Sequence, residues 1–320
     1  ARFVRRQLRY DPLQVGLPWA EYASARRDVT TGDAVAFHTM RISILGSGTA
    51  SRQLPAHFTA VVPQGAELEL ELVNPRLSLF AATPYERLLV DVGYADAALQ
   101  AAQSGCDAIL INSFADYGLD AARAALTVPV IGAGEAALHE ASARGTRPFS
   151  IVTVWPRSMG FLYEERLRAT GLQPLCRSIR HAADEEELQK LGSDDGVMLR
   201  MARHESSVIA ALRALCEAAV REDGAAAIVL GCTCMAPIGD LLQAGCTVPV
   251  IESSMAGLRA AIEAGRNSLA ATAAPRAIWS GRVRDPSLIP ALVSSWTGAD
   301  AGRAPPPEND CPVCIPATEL

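Results

Sequence analysis

One motif occurs twice in this chain. "AILINSFADYGLDAARAALTVPVI" (108–131) aligns on "AIVLGCTCMAPIGDLLQAGCTVPVI" (227–251), with Ala108 on Ala227, Ile109 on Ile228 and Ser113 on Cys232. One residue inserted before the second Thr-Val-Pro-Val-Ile brings Thr127 onto Thr247, and an Ala-rich helix follows in both copies. Five identical consecutive residues at matched distance are hard to obtain from composition alone, so the repeat implies two similar lobes related by an approximate two-fold. Each copy is a β-branched run, a polar turn, a helix and a second β-branched run. That is the pattern of parallel sheet covered on both faces.

The rest of the chain extends the pattern. Strands are expected at 41–46, 68–73, 107–112, 128–131, 149–154, 226–231 and 248–251. Helices are expected near 52–61, 86–104, 119–126, 134–144, 158–170, 196–222, 236–244 and 254–265. The "DEEE" at 184–187 reads as the flank of a solvated helix face. The expected fold is α/β: two similar lobes with parallel-sheet βαβ cores related by a pseudo-two-fold, and the active site in the cleft between them. Along the chain this gives an Arg-rich N-terminal arm or extension at 1–39, lobe 1 at 40–148 and lobe 2 at 149–265. C-terminal elements at 266–300 and a Pro-rich tail at 301–320 follow. Exchange of C-terminal elements between the lobes stays open.

Composition narrows the function. A net charge of −6 without any long Lys/Arg block argues against a nucleic-acid surface, and aromatics at 5% offer no stacking platform. No apolar stretch is long enough to span a bilayer, and no apolar signal core follows the basic "ARFVRRQLRY". Eight cysteines, several inside apolar runs, read as reduced thiols of a cytoplasmic protein rather than a disulfide framework. A small molecule is the expected partner, with no nucleic acid and no membrane, and a homo-oligomer is the expected assembly.

In open parallel sheets, ligands bind beyond the carboxyl ends of the strands. Two facing lobes therefore put Ser113 and Cys232 on opposite walls of one cleft. Gly231 permits a tight passage before Cys232, and Thr233-Cys234-Met235-Ala236-Pro237 leads into a helix. A thiol at a helix N-terminus meets unpaired N–H groups and the positive dipole end, which favours thiolate. A buried, inert cysteine is the competing reading.

Gly231-Cys232-Thr233 resembles the second cysteine motif of the aspartate/glutamate racemase superfamily, and the wider pattern is closest to its hydantoin racemase branch. "FADYGLDAARAALTVPVIGAGEAALHEA" resembles the first-lobe motif of that branch, and "FSIVTVWPRSM" (149–159) its second-lobe opening. "MRISILGSGTAS" stands in the place of its first strand and substrate loop. The resemblance covers about residues 40–265 and implies cofactor-free racemisation or epimerisation of a hydantoin, amino acid or related small acid. One thiolate would remove a proton beside a carbonyl, and an opposite thiol would return one. Cys232 would be the principal acid/base.

Here the chain departs from the family pattern, because the first cysteine position is Ser113. A hydroxyl is a far weaker acid than a thiol of pKa about 8.5, and His57, His139, His181 and His204 are scattered, so no local base is offered. Three readings of Ser113 stay open: a natural replacement in a branch of different chemistry, an engineered substitution, or a residual proton relay. As a one-thiol enzyme the chain would resemble the arylmalonate decarboxylase branch, which makes a lyase the alternative. A non-catalytic homologue that binds small acids is another, and a hydrolase using Ser113 or Cys232 as nucleophile is disfavoured.

Candidate substrate contacts, for a substrate that is anionic or carries ring carbonyls, are Ser47, Gly48 and Thr49 after the first strand, Asn112 and Phe114 beside Ser113, Trp155 and Arg157 after the strand at 149–154, and Thr233 and Cys234 beside Cys232. Tyr117 would wall the cleft, Asp116 would orient the loop, and Glu135 would serve a helix start. Cys232-x-Cys234 and Cys311-x-x-Cys314 tempt a zinc reading, but the second pair sits in the Pro-rich tail; no metal and no cofactor are expected.

Overall fold

The β-branched runs of the two copies become strands in matching register. In a computed structural model, residues 39–46, 56–59, 68–77, 79–143, 145–191, 193, 195–271 and 277–299 are described. The leading segment 1–38, Ser47, Gly48 and Thr49, and the tail with Cys311 and Cys314 lie outside the described residues.

The first parallel sheet holds β1 (Met40–Leu45), β2 (Leu68–Val73), β3 (Ala108–Ile111) and β4 (Val130–Gly132) in the order β2-β1-β3-β4. The second holds β5 (Phe149–Thr153), β6 (Cys176–His181), β7 (Ile228–Leu230) and β8 (Val250–Ile251) in the equivalent order β6-β5-β7-β8. Ser43 faces Ile109 and Ile109 faces Val130 in one sheet. Ser150 faces Ile228 and Ile228 faces Val250 in the other. The repeat is thus preserved residue by residue, including the single insertion. The central strands are apolar and fully buried, as parallel sheets covered on both faces require.

The helices are α1 (Ala56–Thr59), α2 (Pro84–Gln103), α3 (Leu119–Ala125), α4 (Ala133–Ala141), α5 (Gly160–Thr170), α6 (Val197–Ala202), α7 (Ser206–Arg221), α8 (Gly239–Gln243), α9 (Ser253–Ala271) and α10 (Leu288–Ala299). Thr83 opens α2 with a capping box: its side chain accepts from the Glu86 N–H while the Glu86 carboxylate accepts from the Thr83 N–H. The expected helix at 196–222 is broken between Ala202 and Ser206, where His204 takes φ of +53°. The polar run Arg203-His204-Glu205 supplies no apolar face to hold a continuous helix. β6 escaped the sequence expectation because Arg177, Arg180 and His181 interrupt its apolar run; it is an edge strand with one half-exposed face.

Helices cross between lobes. α4 follows β4, yet its Ala137, Leu138 and Ala141 pack with Phe149 and Ile151 of the second sheet and with Tyr163 of α5 beside it. α9 follows β8, yet its Leu258 and Ala261 pack with Ile42, Ile44 and Leu110 of the first. At Gly257 a Cβ would stand 2.6 Å from Leu110 Cδ1 and 3.0 Å from Ala133 Cα, so α9 reaches this approach only through glycine. Residues 277–299 return to lobe 1: Thr127 N donates to Ile278 O at 3.1 Å and Ser280 N to Ala125 O at 2.8 Å. Among the described residues no helix is long and apolar enough to cross a membrane.

Candidate active site

The end of β3 and the end of β7 make the same turn. After β3, the Asn112 N–H donates to Leu45 O at 2.9 Å and Asp116 N–H to Ser113 O at 3.1 Å; Ser113 Oγ accepts the Ala115 N–H at 3.3 Å. After β7, the Gly231 N–H donates to Val152 O at 2.8 Å and Met235 N–H to Cys232 O at 3.1 Å; Cys232 Sγ accepts the Cys234 N–H at 3.1 Å. The two turns touch, because the Thr233 hydroxyl donates to Asn112 O at 3.3 Å. Ser113 and Cys232 therefore hold equivalent places at the meeting of the two sheets' carboxyl ends, both half-buried.

Local sequence explains the asymmetry between them. A Cβ at Gly231 would lie 2.9 Å from each of Ile151 Cγ2, Thr153 Cβ and Tyr163 Cε1, so only glycine passes there. In lobe 1 the register places Asn112 at that position, and Gly46 stands where Thr153 does in lobe 2. Asn112 Oδ1 is buried without a hydrogen-bond partner.

Cys232 is the N-cap of the 3-10 helix Thr233–Ile238, the helix start expected there, and its sulfur accepts the Cys234 N–H; the α-helix follows at Gly239. One expectation about Cys232 needs correction: it is not a free thiol but is disulfide-bonded to Cys234. The reason is the turn itself, which brings the two Cα atoms to 5.1 Å, inside the span a disulfide bridges. Among the described residues Cys106, Cys176, Cys216 and Cys246 are free. Burial raises the first three, Cys176 to about 11 and Cys216 to about 12, so they stay neutral thiols.

The Ser113 loop is fastened from several sides. Asp116, at φ of +51° and 1% exposed, accepts the Gly134 and Glu135 N–H groups at 2.8 Å each. It is the side chain that caps α4; Glu135 lies in the first turn, where its carboxylate pairs with Arg123 at 2.7 Å. Burial pushes the Asp116 carboxyl up to about 7, opposed by Arg166 and by the two N–H groups. Arg166 Nη1 stands 3.9 Å away. The Gly118 N–H donates to Asp91 Oδ1 at 2.9 Å.

Other expected contacts fall as follows. Trp155 is 6% exposed, with its ring 4.9 Å from that of Phe80 across the lobes, in one apolar cluster with Ala115, Cys234 and, at its edge, Cys232 and Tyr117. Phe114 is 4% exposed and packs on Tyr163, a wall of the lobe interface. Burial raises the Tyr117 and Tyr163 hydroxyls, the latter 2.5 Å from Thr153 Oγ1. Arg157 is exposed, at the start of a short 3-10 turn. Among the described residues no histidine serves Ser113: burial lowers His57 to about 4, burial also lowers His181, whose Nδ1 lies 2.9 Å from Trp155 O, and His139 and His204 are exposed. A surface cavity lined by Ala182, Asp184, Glu187, Val197 and Arg200 lies beyond β6 and touches neither Ser113 nor Cys232. Sequence reasoning missed Arg87, Asp91 and Arg166, whose charges sit inside helices with no motif around them.

Residues 42–261 match the Asp/Glu/hydantoin racemase family. A hydantoin racemase of Pseudomonas sp. (strain NS671) is 32% identical over 195 residues, 61% of this chain and 73% of that protein. An allantoin racemase from Klebsiella pneumoniae superposes with a TM-score of 0.58 at 27% identity, covering 70% of this chain and 86% of that one. A liganded double mutant of arylmalonate decarboxylase shares the fold, with a TM-score of 0.52 at 20% identity over 71% of this chain and 93% of the other. Two matched parallel sheets, a strand-end turn repeated at Ser113 and Cys232, and a family match across both place this chain in the Asp/Glu/hydantoin racemase family.

Proposed function

We propose that the protein racemises or epimerises a five-membered hydantoin-type ring at the carbon between ring nitrogen and carbonyl, with Cys232 as acid/base. The observation that carries this reading is the pair of equivalent turns in contact through Thr233 and Asn112. A proton at such a carbon is acidified by the adjacent carbonyl. Its removal leaves an enolate that needs a base on one face and a proton donor on the other. The relatives' names, hydantoin racemase and allantoin racemase, share this ring chemistry. Asn112 Oδ1, buried and lacking a donor, is an acceptor available to a ring N–H beside Ser113.

The working form is the reduced one. A sulfur bonded to Cys234 has no proton to give and no thiolate pair to accept one. With the bond opened, Cys232 takes the ring proton and returns solvent-derived hydrogen to the same face; inversion requires the Ser113 hydroxyl to relay a proton on the other. Exchange in D₂O is therefore expected to outrun inversion. The test is deuterium uptake by each enantiomer of a 5-substituted hydantoin in the presence of a phosphine reductant. Cys232→Ala is expected to abolish uptake, and unchanged uptake in that variant would remove the assignment.

The serine at position 113 favours one second reading, a one-thiol lyase that protonates a single face. Release of CO₂ from a disubstituted malonate with one deuterium in the product, and no exchange of hydantoins, would select it.

A further inference from the structure

We infer that Arg87 is a positioning residue for the Ser113 side of the reaction; the inference rests on the proton-transfer reading above. Its side chain is 9% exposed, and its guanidinium joins three elements. Nε donates to both Asp91 oxygens at 3.2 Å within α2. Nη1 donates to Glu165 of α5, in lobe 2, at 2.5 Å. Nη2 donates to Ala115 O, in the Ser113 loop, at 3.3 Å. The guanidinium carbon also stands 5.3 Å from the centre of the Tyr117 ring, in the same loop.

Ala115 is held by its carbonyl while its N–H is directed at Ser113 Oγ. Asp91 holds the other end of the loop through the Gly118 N–H. The Arg87–Asp91 pair thus grips both ends of the segment that aims the Ser113 hydroxyl. Glu165 ties this grip to α5, the helix that follows Trp155 and Arg157. Lysine cannot replace the fork, since a single ammonium lacks the planar set of donors that serves three partners at once.

The grip is one-sided. The Cys232 turn is packed instead by apolar side chains of α6, among them Val197, Met198 and Met201. Loss of Arg87 should therefore misplace Ser113 and leave Cys232 in place.

The test uses the full reduced chain with both enantiomers of 5-benzylhydantoin in D₂O, reading inversion and exchange with retention separately. Arg87→Met is expected to slow inversion about tenfold or more, leaving retentive exchange and KM within about threefold. Arg87→Lys is expected to be nearly as slow, and Glu165→Gln, which keeps an acceptor and a fold-safe neighbourhood, to fall between. Amide exchange is expected to rise in peptide 112–118 and not in 232–238. Equal slowing of both processes, or unchanged protection of 112–118 in Arg87→Met and in Glu165→Gln, would overturn the proposal. Absence of any exchange by the wild-type chain would instead remove the proton-transfer reading and with it the role of Ser113; the amide pattern then decides by itself whether Arg87 holds the loop.

Discussion

Cys232 differs from the free cysteines in where its turn puts it. Desolvation holds Cys176 and Cys216 as neutral thiols, whereas Cys232 accepts an N–H and has a second sulfur within bonding reach. Cys234 then becomes a brake that a single substitution lifts. Cys234→Ala is expected to make isotope exchange independent of reductant, while the wild-type chain gains at least about tenfold on reduction; equal rates with and without phosphine in both would contradict this. Ser113→Cys is expected to raise inversion by about 10²-fold, measured by loss of optical rotation, because a thiol is a far better proton donor than a hydroxyl. Ser113 and Cys232 were legible in the sequence because the repeat superposes them. The disulfide was not, since C-x-C spacing does not say how a turn directs two side chains. Arg87 was not legible either: its partners Ala115 and Glu165 are 28 and 78 residues away.

The starts of α4 and α9 are closed by carboxylates that come from different places in the chain. α4 has glycine at its N-cap and takes its cap from Asp116, while the N–H groups at the start of α9 are met by Glu252, bonded to Ser254 N and Met255 N at 2.8 Å each. By the repeat's register Gly132 and Glu252 are counterparts, and a Cβ at Gly132 would lie 2.3 Å from Asp116 Cγ. One carboxylate position is filled from two different places in the chain, which the linear alignment could not show. At Gly134 a Cβ would fall 1.9 Å from Phe114 O, so Gly134→Ala must displace the Ser113 loop. It is expected to cost about 1–3 kcal/mol in urea unfolding and to slow inversion. Asp116 gives this contact a pH signature. With its carboxyl raised to about 7, the folded chain keeps a proton that the unfolded chain releases near its ordinary value of about 3.8. That stabilisation is complete below the lower value and is lost as pH rises through the higher. The Tm of the wild type relative to Asp116→Asn should fall between pH 4 and 7, and a rise over that interval would mean the carboxyl is ionised in the fold.

Taken as a molecule, the two sheets are bolted together by exchanged helices. Periodicity and Ala content reveal that α4 and α9 have apolar faces, but not which sheet each face meets, so the crossing is not legible in the sequence. Its energetic consequence is cooperativity. Leu138 of α4 is fully buried among Phe149, Ile151 and Tyr163, so its chain neighbours belong to one sheet and its packing to the other. Arg259 of α9 holds Glu140 of α4 through both carboxylate oxygens at 2.8 Å, adding a link between the crossed helices. Leu138→Ala removes core volume where no solvent can enter, at a cost of about 2–5 kcal/mol. If the lobes were independent, that loss would appear only in lobe 2. Two reporters separate the cases: Trp155 lies in the lobe 2 cluster, and Trp279 packs on the lobe 1 cluster through its bridge to Leu126. Variants retaining only one of these tryptophans, the others changed to Phe, are expected to unfold in urea with coincident midpoints, both shifted equally by Leu138→Ala. A shift confined to the Trp155 reporter would show that each sheet carries its own stability, and the site at their junction would then open without unfolding either.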